Sequence, residues 1–293
     1  MRNRSSVSPD QTTYDSTSAT EPKVRISSRS FARMAQFVTT ELGIKMPESK
    51  VSMIQSRLLH RVRHLGLESL DDYCEHLFSP EGAESEHVHF INAVTTNKTD
   101  FFREPAHFSY LTETVLPQFR DRRISVWSAA CSSGEEPYTL AMVLSEYASA
   151  RPPFGFRILA TDISTKVLHR AKEAVYSKIS IAPIPPALRR KYLLQSEDRA
   201  SARIAPALRR QVSFHRLNFM DPDYGVREMF EVVFCRNVLI YFDRPIQQAV
   251  ISKLCRNLIP GGYLFVSHSE SLSGLDLPLD SLGGSCFRKQ ASS

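Results

Sequence analysis

The hydrophobic periodicity of the chain changes near Arg103, and this change limits the folds that are open to it. From residue 30 to about 95, apolar side chains recur every three or four residues, as in "SFARMAQFVTTELG", which is typical of amphipathic helices. Later, apolar runs such as "RISVWSAA" and "FEVVFCRN" alternate with helical stretches, the last being "RPIQQAVISKLCRNLIPGG". Such alternation indicates a parallel, doubly wound α/β sheet. We therefore predict an all-helical N-terminal domain followed by an α/β domain.

Capping residues and composition suggest where these units begin and end. Gly43 is expected to end the first helix, and Ser69 to begin a later one. The first residues are rich in Ser, Thr, Asp and Gln, which is typical of a disordered tail. The predicted units are a tail at 1–22, a helical domain at 23–91, a linker at 92–103, and an α/β domain at 104–293 with a basic, hairpin-like insertion at about 189–213.

The composition is that of a soluble globular protein, with 42% hydrophobic and 23% charged residues. Its five cysteines are scattered and show no Cys-x-x-Cys spacing, so we expect reduced thiols without a disulfide or metal site. The pattern of a signal peptide and an apolar run of about 20 residues are both missing, so a cytoplasmic protein is expected. A monomer is the default, and the net charge of +6 favours acidic partners only weakly.

A basic segment without acids, "SKVSMIQSRLLHRVRHLG", occupies residues 49–66. Arg57, Arg61 and His64 follow at i, i+4 and i+7, so they share one face of a helix beside an apolar stripe. Such a face is either solvated or a docking surface for an acidic helix or a nucleic acid. The spacing alone leaves both alternatives open.

The turn after the first predicted strand, "AACSSGEEPY", bears on the kind of ligand. Ligands of open α/β sheets bind outside the carboxyl ends of the strands. A dinucleotide site would need the repeat Gly-x-Gly-x-x-Gly here, but the turn has one glycine followed by Glu135 and Glu136. Two carboxylates repel a diphosphate and attract a cation, although acids in a first turn also favour the helix N-terminus by themselves.

Three later strands also end on polar residues. Asp162 follows the second strand, where it could accept hydrogen bonds from ribose hydroxyls or cap a helix, and Asn218 could contact an adenine or make a turn. Arg236 and Asn237 end an apolar strand, where burial without partners would cost several kcal/mol, and Tyr241 follows one helical turn later. The set predicts a ligand with a ribose, a base and a cationic end but no phosphates, which is the shape of S-adenosylmethionine.

The chain resembles the CheR family of chemotaxis-receptor protein-glutamate O-methyltransferases. The matching stretches run in the family's order from about Phe31 to Leu272: "TTNKTDFFRE", "WSAACSSGEEPY", "ATDIS", "LNFMDPDY", "FCRNVLIYF" and "GGYLFVSHSESL". The resemblance implies a Rossmann-like S-adenosylmethionine-dependent methyltransferase domain with a small β-insertion, preceded by a helical receptor-docking domain. It also implies an enzyme that forms glutamate 5-O-methyl esters on methyl-accepting chemotaxis receptors for sensory adaptation, with S-adenosylhomocysteine as product.

The resemblance further implies roles for single residues. Arg103 and Tyr241 would be the catalytic pair that positions the substrate carboxylate. The implied cofactor-binding residues are Asn97, Thr99, Arg103, Glu136, Asp162, Asn218, Phe219, Arg236 and Asn237. No metal is expected. Arg57, Arg61 and Arg63 would dock the methylation helices of the receptor.

The chain departs from the family pattern at two points. Phe219 stands where leucine is common, and the insertion is slightly shorter than in members that grip a receptor's C-terminal tether peptide, so binding of a tether stays open. A nicotinamide-dependent oxidoreductase is disfavoured by the missing glycines. Nucleic-acid or small-molecule methyltransferases and a non-catalytic signalling adaptor are the remaining alternatives. We expect neither a nucleic-acid partner nor insertion into a membrane.

Overall fold

The computed structural model describes residues 25–119 and 122–291. The tail predicted at 1–22 lies outside these residues. Within the described part of the chain, no helix combines the length and the apolar character needed to cross a lipid bilayer.

Residues 25–95, which the structure describes without a gap, form five α-helices around one apolar core. Both predicted caps are confirmed: Gly43 takes a left-handed φ of 69° after the first helix, and the Ser69 side chain accepts a hydrogen bond from the Asp72 N–H. The helices are α1 (Ser28–Leu42), α2 (Val51–His64), α3 (Leu70–Leu77), α4 (Pro80–Ser85) and α5 (His87–Val94).

The α/β part contains a large sheet and a small one. Its elements are α6 (Ala106–Tyr110), β1 (Arg123–Ala129), α7 (Glu135–Ala150), β2 (Gly155–Asp162), α8 (Thr165–Glu173), β3 (Val175–Ser177), α9 (Pro186–Tyr192), β4 (Leu193–Gln195), β5 (Ser201–Ile204), α10 (Pro206–Arg209), β6 (Val212–Arg216), β7 (Phe230–Cys235), α11 (Arg244–Arg256), β8 (Leu258–Phe265), β9 (Leu279–Gly283) and β10 (Cys286–Lys289). The hairpin of β9 and β10 was not predicted from the sequence.

The large sheet has the strand order β6-β2-β1-β7-β8-β10-β9 in the described residues. The pairs from β6 to β8 are parallel, and β10 and β9 continue the sheet antiparallel. The chain winds from β1 outward through β2 and β6, and then returns to the other side of β1 through β7 and β8. The predicted doubly wound fold is therefore confirmed, and its switch point, where ligands bind in such folds, lies between β1 and β7.

The small sheet is antiparallel, has the order β3-β5-β4, and contains the predicted insertion. Its first strand begins at Val175, upstream of the residue 189 that the sequence suggested. Tyr176 and Ala202 pair across β3 and β5 and are both buried in the core of the α/β domain. The insertion is thereby fixed to that domain.

The last predicted helix was wrong at its end. The pattern "RPIQQAVISKLCRNLIPGG" suggested a helix to Gly262, whereas α11 ends at Arg256 and β8 begins at Leu258. The Phe230 N–H donates to the Asn257 carbonyl at 2.8 Å, which starts the pairing of β8 with β7. Pro260 has no N–H to continue a helical ladder, so sheet pairing prevails over the helical spacing of the apolar residues.

Candidate active site

A cleft with an empty volume of about 1080 Å³ opens between the helical domain and the carboxyl ends of the large sheet. Its walls come from the end of α1, the linker, and the chain that follows β1, β2, β6 and β7. The predicted site residues all line it: Asn97, Thr99, Arg103, Glu136, Asp162, Asn218, Phe219, Arg236, Asn237 and Tyr241. The structure thus brings together residues from five motifs, while the role of each one stays a prediction.

The turn after β1 is shaped by Gly134, which has a φ of 98°. A Cβ at this position would lie 2.7 Å from the Tyr176 hydroxyl, so a side chain would push the turn away from the small sheet. Of the two glutamates that follow, Glu135 is buried away from the cleft and accepts a hydrogen bond from the Ser133 hydroxyl at 2.7 Å. Glu135 therefore stabilises the turn, and Glu136 is the one that reaches the cleft.

The carboxylate of Glu136 is held from two sides. Its Oε1 accepts a hydrogen bond from the Ser128 hydroxyl at 2.7 Å, and its Oε2 accepts one from Nη1 of Arg236 at 3.1 Å. Burial raises the pKa of Glu136, and the charge of Arg236 opposes that shift. A second cation from the cleft side would favour the ionised form further.

Asp162 faces the cleft from the end of β2 and is 9% exposed. Its two oxygens accept hydrogen bonds from the backbone N–H groups of Ser132 and Ser164, both at 2.9 Å. A carboxylate can accept about four hydrogen bonds, so Asp162 keeps capacity to accept from a ligand hydroxyl. Burial raises the pKa of Asp162, and the backbone donors oppose the shift. The side chain that caps α8 is that of Ser164, which accepts from the Val167 N–H.

Arg236 is buried, with a side chain only 1% exposed, and its partners are protein groups. Nη1 bonds Glu136, while Nη2 donates to the Arg103 carbonyl at 2.6 Å and lies 3.2 Å from Oε2 of Glu104. Two carboxylates and a carbonyl reduce the predicted cost of a buried arginine, while its Nε makes no hydrogen bond to a described residue. Arg236 joins the linker to the first turn of α7.

Glu104, which was not singled out from the sequence, is a second anchor of the linker. Its Oε1 accepts hydrogen bonds from the Ser267 hydroxyl at 2.8 Å and from Nδ2 of Asn237 at 3.3 Å. Burial works against its charge, but the hydrogen bond from Ser267 and the charge of Arg236 lower the pKa of Glu104 to about 2. The sequence feature that could have drawn attention to Glu104 is its position directly after Arg103 in the motif "FFRE".

Glu270 was also missed, and it shapes the loop after β7. The carboxylate accepts hydrogen bonds from the backbone N–H groups of Asn237, Leu239 and Ser267 at 3.0, 2.7 and 2.7 Å. Asn237 has a φ of 60°, a left-handed conformation that asparagine tolerates better than most residues. Glu270 follows the end of β8, so the same strand-end rule that found Asp162 would have found it.

Two consecutive phenylalanines anchor the linker to the α/β domain. The ring of Phe101 is 1% exposed and meets Tyr176 edge to face, with 4.9 Å between the ring centroids. The Phe102 N–H donates to the Thr139 hydroxyl on α7 at 3.1 Å. The motif that joins the domains is therefore packed against the core of the second one.

Arg103 lies between two residues in left-handed conformations, Phe102 with a φ of 55° and Glu104 with a φ of 56°. Such conformations cost on the order of 1 kcal/mol each for residues with a side chain, and they persist where surrounding contacts impose them. The Arg103 side chain lines the cleft, and its Nη1 donates to the Lys98 carbonyl at 3.1 Å.

Contacts between the domains involve two predicted site residues. Nδ2 of Asn218 donates to the Glu41 carbonyl at 2.7 Å, and its Oδ1 accepts from the Met220 N–H at 3.0 Å, so the side chain makes a turn and an interdomain bond. The Lys45 N–H donates to the carbonyl of Tyr241 at 3.1 Å. The predicted turn at Asn218 is present, and its contact with an adenine stays a prediction.

Asn97, Thr99 and Phe219 complete the lining. The Ser132 hydroxyl donates to the Asn97 carbonyl at 2.9 Å, which ties the linker to the turn after β1. The Phe219 ring is 9% exposed and packs edge to face with Phe242, at 6.2 Å between centroids. It gives the cleft an aromatic wall.

The basic side chains of α2 have different environments. Arg57 donates from Nη1 to the carbonyls of residues 93–95 at the end of α5, at 2.9 to 3.3 Å. Arg61 forms a two-point ion pair with Glu86, at 2.8 and 2.7 Å, and the Glu86 side chain is 2% exposed. Arg63 is exposed, as are His60 and His64. Arg57 and Arg61 therefore hold α2 to its neighbours.

The donor set of the cleft fits S-adenosylmethionine. Asp162 has spare acceptors for ribose hydroxyls, Glu136 suits an ammonium group, and Phe219 offers a ring to a base. The turn after β1 lacks the glycines that a diphosphate needs.

Family models match both domains. The family model described as "CheR methyltransferase, SAM binding domain" matches residues 97–286, and "CheR methyltransferase, all-alpha domain" matches residues 29–95. A chemotaxis protein methyltransferase of Borreliella burgdorferi is 36% identical over 259 residues, which cover 86% of this chain and 91% of the relative.

Two further relatives and a solved structure complete the comparison. Chemotaxis protein methyltransferase 2 of Pseudomonas aeruginosa is 39% identical, covering 78% of this chain and 81% of its own, and the Escherichia coli K12 protein is 35% identical, covering 87% and 88%. The magnesium protoporphyrin IX methyltransferase of Synechocystis PCC 6803 with bound SAM covers 74% of this chain and 94% of that chain at 13% identity, and its TM-score of 0.37 is too low to carry an argument. On the strength of the family models and relatives, the chain belongs to the CheR family of S-adenosylmethionine-dependent chemotaxis protein methyltransferases.

Proposed function

We propose that this enzyme methylates glutamate side chains of methyl-accepting chemotaxis receptors and forms glutamate 5-O-methyl esters. The observation that supports this most is the presence of Arg103 and Tyr241 in the same cleft as Asp162 and Glu136. A guanidinium and a phenol hydroxyl both donate hydrogen bonds, so together they suit a carboxylate substrate.

The substrate needs no general base from the protein. A glutamate with an ordinary pKa of about 4.3 is already ionised at neutral pH. S-adenosylmethionine, when bound, supplies an electrophilic methyl group. The protein's part is to hold the carboxylate in line with that group and to keep water away, because a dry site favours a reaction that neutralises charge.

The proposed division of labour follows from the contacts. Asp162 and Glu136 would hold the cofactor, and Arg236 would act through others, since it bonds Glu136 and the Arg103 carbonyl. Arg103 would align the substrate carboxylate without pairing so tightly that the ground state gains more than the transition state. The Tyr241 hydroxyl is neutral and would orient the carboxylate with less of that penalty.

We propose that the exposed side of α2 docks the acidic methylation helices of the receptor. Arg63 would make the contact together with His60 and His64, and Arg57 and Arg61 would hold the helix behind it. Arg63→Glu should then raise the KM for receptor about threefold and leave cofactor affinity unchanged, as exposed charges contribute little each. An unchanged KM would mean that this face of α2 is solvated and does not dock the receptor.

The enzyme is proposed to act as a cytoplasmic monomer. The cysteines Cys74, Cys131, Cys235, Cys255 and Cys286 are free and buried, which suits a reducing compartment. Equilibrium sedimentation of the full chain would test the monomer.

The reaction is tested by incubating the full chain with tritiated S-adenosylmethionine and receptor-containing membranes. Label that mild base releases as methanol supports a carboxyl methyl ester, and Arg103→Ala should produce it about a hundredfold more slowly. Label that resists base would indicate N-methylation, and label in nucleic acid would indicate the alternative substrate class. Cofactor binding without any transfer would favour the non-catalytic adaptor.

A further inference from the structure

The loop after β7 carries Tyr241 on a single 3₁₀ turn, Leu239–Tyr241. Two backbone hydrogen bonds close this turn, from the Tyr241 N–H to the Val238 carbonyl at 3.2 Å and from the Phe242 N–H to the Leu239 carbonyl at 3.1 Å. Short turns of this kind have poorer hydrogen-bond geometry than an α-helix and little stability of their own. Contacts from outside the turn must therefore decide where the Tyr241 side chain lies.

The side chain of Tyr241 has no hydrogen bond at its own tip. Its ring is half-buried and lines the cleft, and its hydroxyl has no hydrogen-bond partner among the described residues. The backbone carbonyl of Tyr241 accepts a hydrogen bond from the Lys45 N–H at 3.1 Å. The hydroxyl is thus free for a substrate, and its position follows from the backbone of the turn and the packing of the ring.

Glu270 holds the beginning of the turn. This buried carboxylate accepts hydrogen bonds from the backbone N–H groups of Asn237 and Leu239, at 3.0 and 2.7 Å. An ionised carboxylate only accepts hydrogen bonds, so Glu270 can bind N–H groups of the loop but not its carbonyls. The end of the turn therefore needs a donor.

That donor is Gln247, a half-buried residue near the start of α11. Its Nε2 donates to the carbonyls of Leu239 at 2.9 Å and Phe242 at 3.2 Å, which lie on either side of Tyr241 in the chain. Its Oε1 accepts a hydrogen bond from Nη1 of Arg244 at 3.0 Å. The amide group is thereby fixed in orientation, because only its NH₂ group can donate to two carbonyls.

Arg244 links this donor back to Glu270. The same Nη1 donates to the carbonyl of Ser271 at 2.8 Å, and Ser271 directly follows Glu270 in the chain. The contacts therefore form a closed ring that runs from Glu270 through the turn to Gln247 and Arg244, and back. Members of such a network support one another, so the ring restrains the turn from both of its ends.

We propose that Gln247 is a positioning residue for methyl transfer, which together with Glu270 fixes the turn so that the Tyr241 hydroxyl meets the substrate carboxylate. The inference rests on the proposed function, in which Tyr241 orients that carboxylate. Among the described residues, Gln247 is not part of the cleft lining, so it acts through Tyr241. A displacement of about 1 Å at a reacting group can cost about a hundredfold in rate.

The test compares Gln247→Ala with Gln248→Ala in the full chain, using tritiated S-adenosylmethionine and receptor-containing membranes. Gln248 is the matched control, because it is the adjacent glutamine, is also half-buried, and bonds Asp276 and Ser252 instead of the turn. Gln247→Ala should lower kcat about threefold or more and leave the Kd for S-adenosylhomocysteine within about twofold. Gln248→Ala should change kcat by less than about twofold.

A double variant shows whether Gln247 acts through the Tyr241 hydroxyl. Tyr241→Phe should lower kcat about three- to tenfold, which is the contribution of one neutral hydrogen bond. Adding Gln247→Ala to Tyr241→Phe should lower kcat by less than about twofold further, because the hydroxyl that Gln247 positions is already gone. A purely structural role of Gln247 would give losses that multiply.

Multiplying losses in the double variant, or equal effects of Gln247→Ala and Gln248→Ala, overturn the inference and leave the proposed reaction intact. An unaltered kcat in Tyr241→Phe removes Tyr241 from the catalytic pair and this inference with it. Absence of base-labile methanol from the unsubstituted enzyme contradicts the proposed function itself. If Gln247→Ala no longer binds S-adenosylhomocysteine, Gln247→Glu decides by the same comparison, because it removes the donors and keeps the volume of the side chain.

Discussion

The arginines of α2 and those of the cleft were both expected to bind partners outside the chain, and they differ in what their guanidinium groups contact. Arg57 and Arg61 bond the end of α5 and the buried Glu86. In the cleft, Arg236 is enclosed by two carboxylates, whereas Arg103 has a carbonyl bond and open space beside it. The difference shows that a cation is free for a ligand only where the fold has not already supplied its counter-charge.

The largest effect should come from the enclosed arginine of the cleft. Arg236→Leu leaves Glu104 and Glu136 without their cation and should lower the free energy of unfolding by about 3–5 kcal/mol, measured by urea denaturation. Adding Glu104→Gln and Glu136→Gln should recover part of the loss. A drop below about 1 kcal/mol would mean that the buried charges find other partners, and the contrast with Arg103 would weaken.

Substitution of Arg103 should affect activity strongly and stability little, the opposite of what is expected for Arg236. Arg103→Ala is expected to reduce the rate of methyl transfer about a hundredfold, because a donor aimed at the reacting carboxylate is lost. The free energy of unfolding should change by less than about 1 kcal/mol, since the substitution removes only one hydrogen bond, from Arg103 to a backbone carbonyl. Arg103→Lys is the control for charge without the planar fork. Near-normal turnover in Arg103→Ala would exclude it as a catalytic residue.

Substitutions of two nearby arginines on α2 should have clearly different effects on stability. Arg61→Leu strands the carboxylate of Glu86 and should destabilise the protein by about 2–3 kcal/mol. Arg63→Leu removes the same charge from an exposed position and should alter stability by less than about 0.5 kcal/mol. Thermal or urea unfolding of the pair checks this, and equal effects would refute the distinction between them.

The smallest predicted effect is the pH dependence of cofactor binding that arises from protonation of Glu136. Burial raises its pKa above the ordinary 4.5, so this carboxylate is protonated at a higher pH than a solvent-exposed glutamate. Because the ionised form attracts an ammonium group, affinity for S-adenosylhomocysteine should fall as the pH falls through this pKa, by about tenfold per 1.4 kcal/mol lost. Glu136→Gln should bind weakly at all pH values, and an unchanged pH profile in that variant would place the titration elsewhere.

The sequence was sufficient for the two-domain architecture with a doubly wound sheet and for the predicted residues that meet in the cleft, but not for the hairpin of β9 and β10. Strand ends in a doubly wound sheet converge at one edge, so the order of the strands alone groups Glu136, Asp162 and Asn237. Glu270 obeys the same rule and was overlooked. These residues are predictable because the backbone path places them.

The partners of the cations could not be predicted, because they depend on tertiary packing. Nothing in the spacing of α2 shows that Arg61 faces Glu86, which lies 25 residues later, or that Arg57 reaches carbonyls of α5. The prediction of the end of α11 was wrong for a related reason, because the pairing of β8 with β7 overrides a helical pattern of apolar residues. Asn218 likewise bonds Glu41, a partner 177 residues away.

The cleft has one wall from each domain, and bonds such as those from Asn218 to Glu41 and from Lys45 to Tyr241 cross between them. A molecule held there would contact both domains, which are also joined by hydrogen bonds from the Ser164 hydroxyl and the Lys166 N–H to Asn92 of α5. We therefore expect bound cofactor to stabilise the contact between the two domains. When the cofactor-bound enzyme is heated, both domains should unfold in one transition. Without cofactor, the two domains should unfold in two separate transitions.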